Sequence, residues 1–517
     1  MSSLFVKKEL ARVVREANDP NLAEGHGLKR SLSAFNLTTL GIGAIIGAGI
    51  FSLTGTAAAN FSGPGVALSF VIGGILCTFA GLCYAELAAM IPVAGSAYAY
   101  TYATMGELIA WIIGWDLVLE YAFGAITVTG AWSGYLFSLL HKTFGIEMSD
   151  ALIRFTKGPG ELVQLADGSK VNGYCNLPAM FIALCCTAVL YRGIKESAWV
   201  NNIIVVIKVA IVLSFIALGW GMMSTSNLHA NPDAAGLAAL VPPVVIDASG
   251  ASHFGWGTGG VLTGAGVVFF SYIGFDAVST AAQEAKNPQR DMPIGILASL
   301  IICTILYILV SLVLTGVVNY TELGVADPIA VGIDQIVRLR GWSQSAQTLF
   351  TAAVKVGAIA GLSSVVLVLM LGQTRIFYAM AKDGLLPWFH HTHPKNHTPH
   401  VATLVTGGFI ALLGGFLPFH LVGELVSIGT LLAFVLVCIG VPLLRVTNPD
   451  QPRPFRTPIP WVIGPLGAAS CLWVMSSLPS DTWIRLVVWL LIGFAVYFGY
   501  GRKRSHIAQA ERHAPTA

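Results

Sequence analysis

Residues 41–51 read GIGAIIGAGIF, which sets Gly41, Gly43, Gly47 and Gly49 inside a stretch otherwise apolar enough to cross a bilayer. Each glycine weakens a helix interior by roughly 1 kcal/mol relative to alanine, so four together make a poor continuous helix. Lipid offers the main chain no hydrogen-bond partners. A broken helix therefore survives at that depth only where it lines a cavity or meets a ligand. Glycine also lets a ligand approach the backbone closely, and a half-helix starting there would aim N–H groups and a positive dipole end at an anion such as a carboxylate. Close packing of neighbouring helices through small residues is the alternative, and the spacing of Gly43 and Gly47 suits it.

The rest of the chain supports a membrane setting. Of 517 residues, 55% are hydrophobic and 11% charged, with a mean hydropathy of +0.73, where soluble domains carry about 25% charged residues. At about 20 apolar residues per span, the sequence predicts twelve spans near 35–58, 66–91, 108–140, 176–191, 198–223, 259–282, 293–318, 346–379, 402–418, 421–444, 459–479 and 482–500. An N-terminus in the cytoplasm puts most of the 29 basic residues inside, and so predicts that both ends lie there.

The lead before the first span carries Lys7, Lys8, Arg12, Arg15, Lys29 and Arg30, too long and too charged for a cleavable signal peptide. Leu4, Leu10, Val13, Val14 and Ala17 recur near helical spacing there. A short amphipathic helix on the cytoplasmic leaflet is expected, with a disordered tail as the alternative. Cysteines such as Cys77, Cys83, Cys185, Cys186, Cys303, Cys438 and Cys471 sit in or beside apolar spans and read as packing residues. Nothing in the charge pattern points to nucleic acid, and the loops are too short to hold an enzyme domain.

A second glycine-interrupted segment, GTGGVLTGAGVVFFSYIGFDAV, opens at Gly257 in the sixth span, five spans after the first. An odd offset reverses the orientation of the second half. Two inverted five-helix units with two further spans are therefore expected, with the two interrupted helices meeting at mid-membrane.

Together, GIGAIIGAGIF, FFSYIGFDAVSTAAQEAKNPQRDMPIGI at 269–296 and GQTRIFYAMAKDGLLP at 372–387 resemble the amino acid, polyamine and organocation transporters, most closely their cationic amino acid transporter branch. The resemblance runs over about 30–500. It implies an all-α, LeuT-type fold: a cytoplasmic segment 1–34, a first repeat 35–223, a second repeat 259–444, two spans in 459–500, and a cytoplasmic tail 501–517. It also implies secondary amino acid transport in a cell membrane, with substrate, proton and lipid as partners, no cofactor or metal, and any small accessory subunit left open. Carried over by position, the substrate carboxylate meets N–H groups around Gly47, Ala48 and Gly49, and main-chain oxygens at Ile45 and Ile46 receive the amino group. Phe270 closes over the substrate, while Ser271, Tyr272, Ile273 and Gly274 line the sixth-span break.

Lys208 stands deep in the fifth span, in IIVVIKVAIVL, where snorkelling reaches neither interface. A charge at that depth is a functional candidate, because a buried amine can exchange a proton during a cycle. The resemblance implies a cation site between spans one, five and eight in sodium-coupled relatives, for which a fifth-span lysine resembles a replacement in proton-coupled members. Gly43, Ser363 and Ser364 are its expected neighbours, and the alternative is a structural lysine bonded to exposed carbonyls.

Asp116 and Glu120 are four apart on the third span and share a helix face. Glu120 matches a glutamate of the branch that the resemblance associates with cationic side chains. Among other polar residues, Lys355 is expected to snorkel or pack, Asp276 to cap the resuming sixth-span helix, Glu86 to join a cytoplasmic gate, and Arg290 and Arg375 to meet an inner gate or lipid headgroups. His390, His391, His393, His397 and His400 fall in a loop broken by Pro394 and Pro399, without helical metal-ligand spacing. The sequence favours proton-coupled symport of cationic or small neutral amino acids. An exchanger and a membrane sensor without turnover stay open.

Overall fold

The computed structural model describes residues 4–8, 30–93, 95–165, 169–246, 252–257, 259–325, 327–394, 398–417, 419–476, 478, 480–506 and 509. It is predominantly helical. Among the described residues, eight helical stretches are long and apolar enough to cross a membrane, and Leu177–Arg192, His400–Phe416 and Pro460–Ser476 are shorter apolar helices.

The first stretch, Ala34–Met90, is 57 residues long and contains α1 (Ala34–Ile45), a segment that resumes at Gly49, and α2 (Val66–Met90). Next come α3 (Ala97–Thr104), α4 (Glu107–Val118), a wide turn Leu119–Phe123, and α5 (Gly124–Ser138). The chain continues through α6 (Leu177–Arg192), α7 (Ile194–Trp220) and α8 (Val261–Phe269). Beyond the second break lie the single turn α9 (Ala277–Thr280), α10 (Pro288–Val317), α11 (Pro328–Leu339) and α12 (Gln344–Lys382). Last are α13 (His400–Phe416), α14 (Phe419–Thr447), α15 (Pro460–Ser476) and α16 (Ser480–Val496).

Two features fall in stretches read from the sequence as plain loops. The helix α3 occupies the connection after α2, and α11 lies in the connection after α10. Two short antiparallel hairpins, Leu162–Gln164 with Lys170–Asn172 and Val245–Ile246 with Ser252–His253, tighten the loops before α6 and α8. The registers pair Val163 with Val171 and Val245 with His253. In α11 the buried Ile329, Ala330, Ile333, Ile336 and Val337 do recur at helical spacing, so the periodic signal was present in a segment too short to span a bilayer.

The core is continuous and holds the middle of α1, α2, α4, α5, α10, α12 and α14. Helices α6, α7, α15 and α16 present large apolar side chains outward, among them Phe181, Val206, Trp461 and Ile484. That is the pattern of a lipid-facing rim around a packed centre, since a helix apolar on all sides belongs in a core or in a bilayer.

Most of the N-terminal segment expected to form an amphipathic helix lies outside the described residues, as does His397. The described piece, residues 4–8, packs on the protein. Val6 is buried and its carbonyl accepts from the Glu107 N–H at 3.0 Å. Lys8 pairs with Asp383 at 2.5 Å and lies 4.8 Å from the centre of the Tyr102 ring.

Candidate functional site

Helix α1 ends at Ile46, whose φ −73° and ψ 94° are extended, and helical turns resume at Gly49. The first N–H groups of a restarting helix have no partner within it. The sixth-span segment stops after α8 and the single turn Phe270–Tyr272, at Ile273 with ψ 132°. Gly274 follows with φ +115°, in the region that favours glycine. The two breaks touch: a side chain at Gly49 would run into the Ser271 backbone, and one at Gly274 would lie 2.6 Å from the Ala44 Cβ. Gly49 and Gly274 thus both interrupt the helices and let the two breaks pack closely.

A cavity of about 20 Å³ sits between the breaks. Ala44, Ile45, Gly47, Ala48 and Gly49 form one wall, with Phe270 and Ile273 beside them. Gly124 and Val128 of α5, Val365 and Leu369 of α12, and Val426 of α14 form the opposite, wholly apolar wall. That volume accommodates about one water, so any larger solute requires the walls to part.

Lys208 on α7 is fully buried. Its Nζ donates to the carbonyl oxygens of Gly43 at 2.7 Å and Ile46 at 2.9 Å, and to Ser364 Oγ at 3.0 Å. The carbonyls are available because α1 stops there and leaves its last acceptors without helical donors. Ser363 is turned elsewhere: its Oγ accepts from Trp132 Nε1 at 2.9 Å and donates to the Ile359 carbonyl at 2.9 Å.

On the far side of the breaks, Asp116, Glu120 and Asp276 are all fully buried. Glu120 and Tyr121 lie in the wide turn between α4 and α5, a geometry that recurs at functional sites. The Tyr121 hydroxyl donates to Asp276 Oδ2, and the Gly274 N–H donates to Asp276 Oδ1 at 3.3 Å. Asp276 occupies the position before α9 yet makes no side-chain cap there; its carboxyl turns back to the break instead of forward, which corrects the expected cap. Glu120 lies near Asp276, and among the described residues its two carboxyl oxygens have no hydrogen-bond partner. It is absent from the cavity wall.

The remaining polar residues form cross-links near the membrane faces. Lys355 does not snorkel: it is buried, lies 3.6 Å from Asp327, and donates to Ser138 Oγ at 2.9 Å and Thr143 Oγ1 at 3.1 Å. Arg375 is buried beside Glu284 at 2.7 Å and meets protein rather than lipid headgroups, while Arg290 is exposed. Glu86 accepts from Arg445 at 2.9 Å and from the Thr457 N–H at 2.7 Å. In the loop after α12, partial burial and then the nearby His391 and His506 hold His390 below the usual imidazole range. Among the described residues, no three His, Cys, Asp or Glu side chains come together as a metal site.

Sequence reasoning missed Tyr307 on α10, whose hydroxyl reaches the Ile45 carbonyl at 2.6 Å and the Ser271 carbonyl at 2.9 Å. It also missed Tyr135, whose hydroxyl donates to the Phe51 carbonyl at 2.5 Å. A tyrosine deep in a span was the available signal, since a buried phenol usually finds a partner.

A polytopic helical membrane protein with two interrupted helices around a small central cavity has the form of a permease. Residues 32–499 match the amino acid permease family, and the chain belongs to that family, within the amino acid, polyamine and organocation transporters. It is similar to the methylthioribose transporter of Bacillus subtilis (strain 168), at 41% identity over 98% of this chain and 99% of the relative. The branched-chain amino acid permease BcaP of the same organism is 42% identical, with the same coverage of both chains. Cationic amino acid transporter 4, vacuolar, of Arabidopsis thaliana is 37% identical over 87% of this chain and 68% of its own length.

Proposed function

We propose that the protein carries a small or branched apolar amino acid inward across the cell membrane together with a proton. The observation that carries this reading is the Lys208 ammonium held by the Gly43 and Ile46 carbonyls at the first break. Charged, the amine has three N–H donors for its three acceptors; giving up a proton leaves two weaker donors and loosens its hold on the break, which links proton occupancy to the groups proposed to hold substrate. The substrate carboxylate would meet the N–H groups of Gly47, Ala48 and Gly49, and its ammonium the oxygens near Ile45 and Ile46. Phe270, Ser271 and Ile273 would close the other side.

Apolar specificity follows from Val128, Val365, Leu369 and Val426, which offer no charge to a guanidinium or an ammonium side chain. Glu120, the residue expected to receive a cationic side chain, faces Asp276 instead. In this reading the chain has twelve spans in a LeuT-type arrangement, with inverted repeats over 35–223 and 259–444, both ends in the cytoplasm, and alternating access as the transport cycle.

The test is uptake into proteoliposomes with an alkaline interior, using labelled leucine, alanine, arginine and methylthioribose. Concentrative leucine or alanine uptake that collapses with a protonophore is the expected result. Uptake indifferent to the pH gradient would remove the proton, arginine or methylthioribose as the preferred solute would overturn the substrate, and binding without accumulation would make the protein a sensor.

A further inference from the structure

The span that begins at Glu107, beside residues 4–8, runs 35 residues to His141 and delivers its end to the opposite face of the bundle. There the chain turns through Leu139–Thr143, forms two short helical turns, Asp150–Ile153 and Arg154–Thr156, and re-enters the bundle as α6. These pieces enclose a cavity of about 330 Å³, far larger than the one between the breaks. Leu136 and Phe137 of α5, Leu152 and Phe155 of the short turns, and Phe181 of α6 are among its walls. The one hydroxyl in its lining, that of Thr156, is spent on the Ile153 carbonyl at 2.7 Å. Water held there would lack the polar partners it needs, so the space suits hydrocarbon.

The walls are tied in place and the mouth is open. Ser133 Oγ of α5 donates to the Thr156 carbonyl at 3.1 Å, and the N–H of Asn176, the residue capping α6, donates to the Gly415 carbonyl at 2.8 Å. Leu152, Leu177 and Phe181 are 52%, 46% and 61% exposed at the mouth, continuous with the outward Leu184 of α6. Arg154 stands between Leu152 and Phe155 in the chain. Its Nη1 donates to the Tyr174 hydroxyl at 2.8 Å, and the Tyr174 ring lies 5.5 Å from that of Phe155. The phenol accepts in that bond and keeps its own hydrogen to give, while a guanidinium carries more N–H donors than one bond uses. A planar cationic fork beside a hydroxyl is matched to phosphate oxygens, and Asp150, exposed four positions earlier, offers a counter-charge to an ammonium headgroup.

We propose that this cavity seats one acyl chain of a phospholipid, with Arg154 and Tyr174 receiving the lipid phosphate. The family match and the apolar spans put the surrounding surface in a bilayer, and the arrangement supplies both halves of a lipid at once: a dry hole for the chain and a basic edge for the headgroup. A protein helix does not fit. With side chains it is about 10 Å across and rises about 5.4 Å per turn, so a single turn exceeds the 330 Å³ available. The site lies at the far end of α5 from Gly124, which lines the central cavity, and is separate from the proposed route of the amino acid.

The test is native mass spectrometry of the purified full-length protein, offered dioleoyl phosphatidylethanolamine or the matching diacylglycerol, which keeps the chains and lacks the phosphate. Wild-type protein should retain the phospholipid roughly tenfold better than the diacylglycerol, the difference expected of charge-assisted hydrogen bonds to a phosphate. Arg154→Gln should bring the two lipids to within about twofold of each other by weakening retention of the phospholipid alone. Leu152→Trp, which fills the cavity with an indole and leaves Arg154 in place, should lower retention of both lipids by roughly tenfold. Equal retention of the two lipids by wild-type protein, an Arg154→Gln variant that holds the phospholipid as wild type does or loses both lipids alike, or a Leu152→Trp variant that keeps them would each overturn the inference. Should Leu152→Trp fail to yield folded protein, Leu177→Trp, at the same mouth, takes its place and is read in the same way.

Discussion

Ionisable groups stand on opposite sides of the paired breaks, and they are treated differently. Lys208, between α1 and α12, has three oxygen acceptors arranged around its nitrogen. Across the breaks, Asp116 and Glu120 are as deeply buried, yet among the described residues their oxygens have no hydrogen-bond donor. A charge in a dry interior needs compensating groups, and a carboxyl group without them is best accommodated as the neutral acid. The basic side is therefore ringed by acceptors, whereas the carboxyl oxygens of Asp116 and Glu120 are left without donors among the described residues. Only the basic side is wired to the main chain of the first break.

Four measurements would break or sharpen that contrast. The largest effect is expected at the basic side. Lys208→Ala should abolish accumulation driven by a pH gradient, a loss of about 100-fold, corresponding to a coupling free energy of about 3 kcal/mol. Counterflow exchange in the same vesicles should survive, and full gradient-driven uptake in the variant would remove the contrast. Next comes Gly274→Ala, which forces a side chain onto φ +115° and against Ala44. A strain of about 1–3 kcal/mol should lower the thermal midpoint in detergent and reduce uptake, and an unchanged midpoint would show that the acidic-side backbone tolerates rearrangement.

Val426→Phe fills the apolar wall between the two sides. It should raise the KM for leucine about tenfold and that for alanine much less, given about 1–3 kcal/mol for crowding of this kind. Parallel changes for both solutes would place the side-chain pocket elsewhere. The smallest effect is expected for Glu120→Gln, since an amide replaces the carboxyl group with similar shape. Leucine uptake should stay within about threefold, a change of less than 1 kcal/mol. A collapse comparable with that of Lys208→Ala would mean that Glu120 must ionise during the cycle.

Much of this arrangement could be read before any coordinates. The helical ends at Ile45 and Phe269 follow from glycine-rich stretches that cannot sustain regular turns, and apolar runs locate the spans because lipid forbids unpaired backbone. Lys208 announced itself by standing alone in IIVVIKVAIVL, although its partners required the third dimension. What the sequence hid was direction. Asp116 and Glu120 at four-residue spacing were legible as one helix face, but the wide turn at Leu119–Phe123 and the Tyr121–Asp276 contact decide where Glu120 points, and neither leaves a periodic trace. Of the two roles expected for Lys355, snorkelling or packing, the structure has the packed one, and its partner Asp327, 28 positions earlier in the chain, was invisible to local pattern. Tyr307 drew no notice because an isolated tyrosine in an apolar helix reads as packing.

The lead-in to the first membrane helix holds a further consequence. The Ser31 and Leu32 N–H groups both donate to the Glu284 carbonyl, at 2.8 and 2.9 Å, and the Lys286 N–H returns a bond to Leu32 at 2.8 Å. The same Glu284 pairs through its side chain with Arg375 of α12. The start of the first broken helix and the segment after the second are thus stapled together, and the Arg375–Glu284 ion pair ties that staple to the neighbouring long helix α12. Swinging the first helix away from the second would have to rip out three main-chain bonds, so the two ends are built to move together.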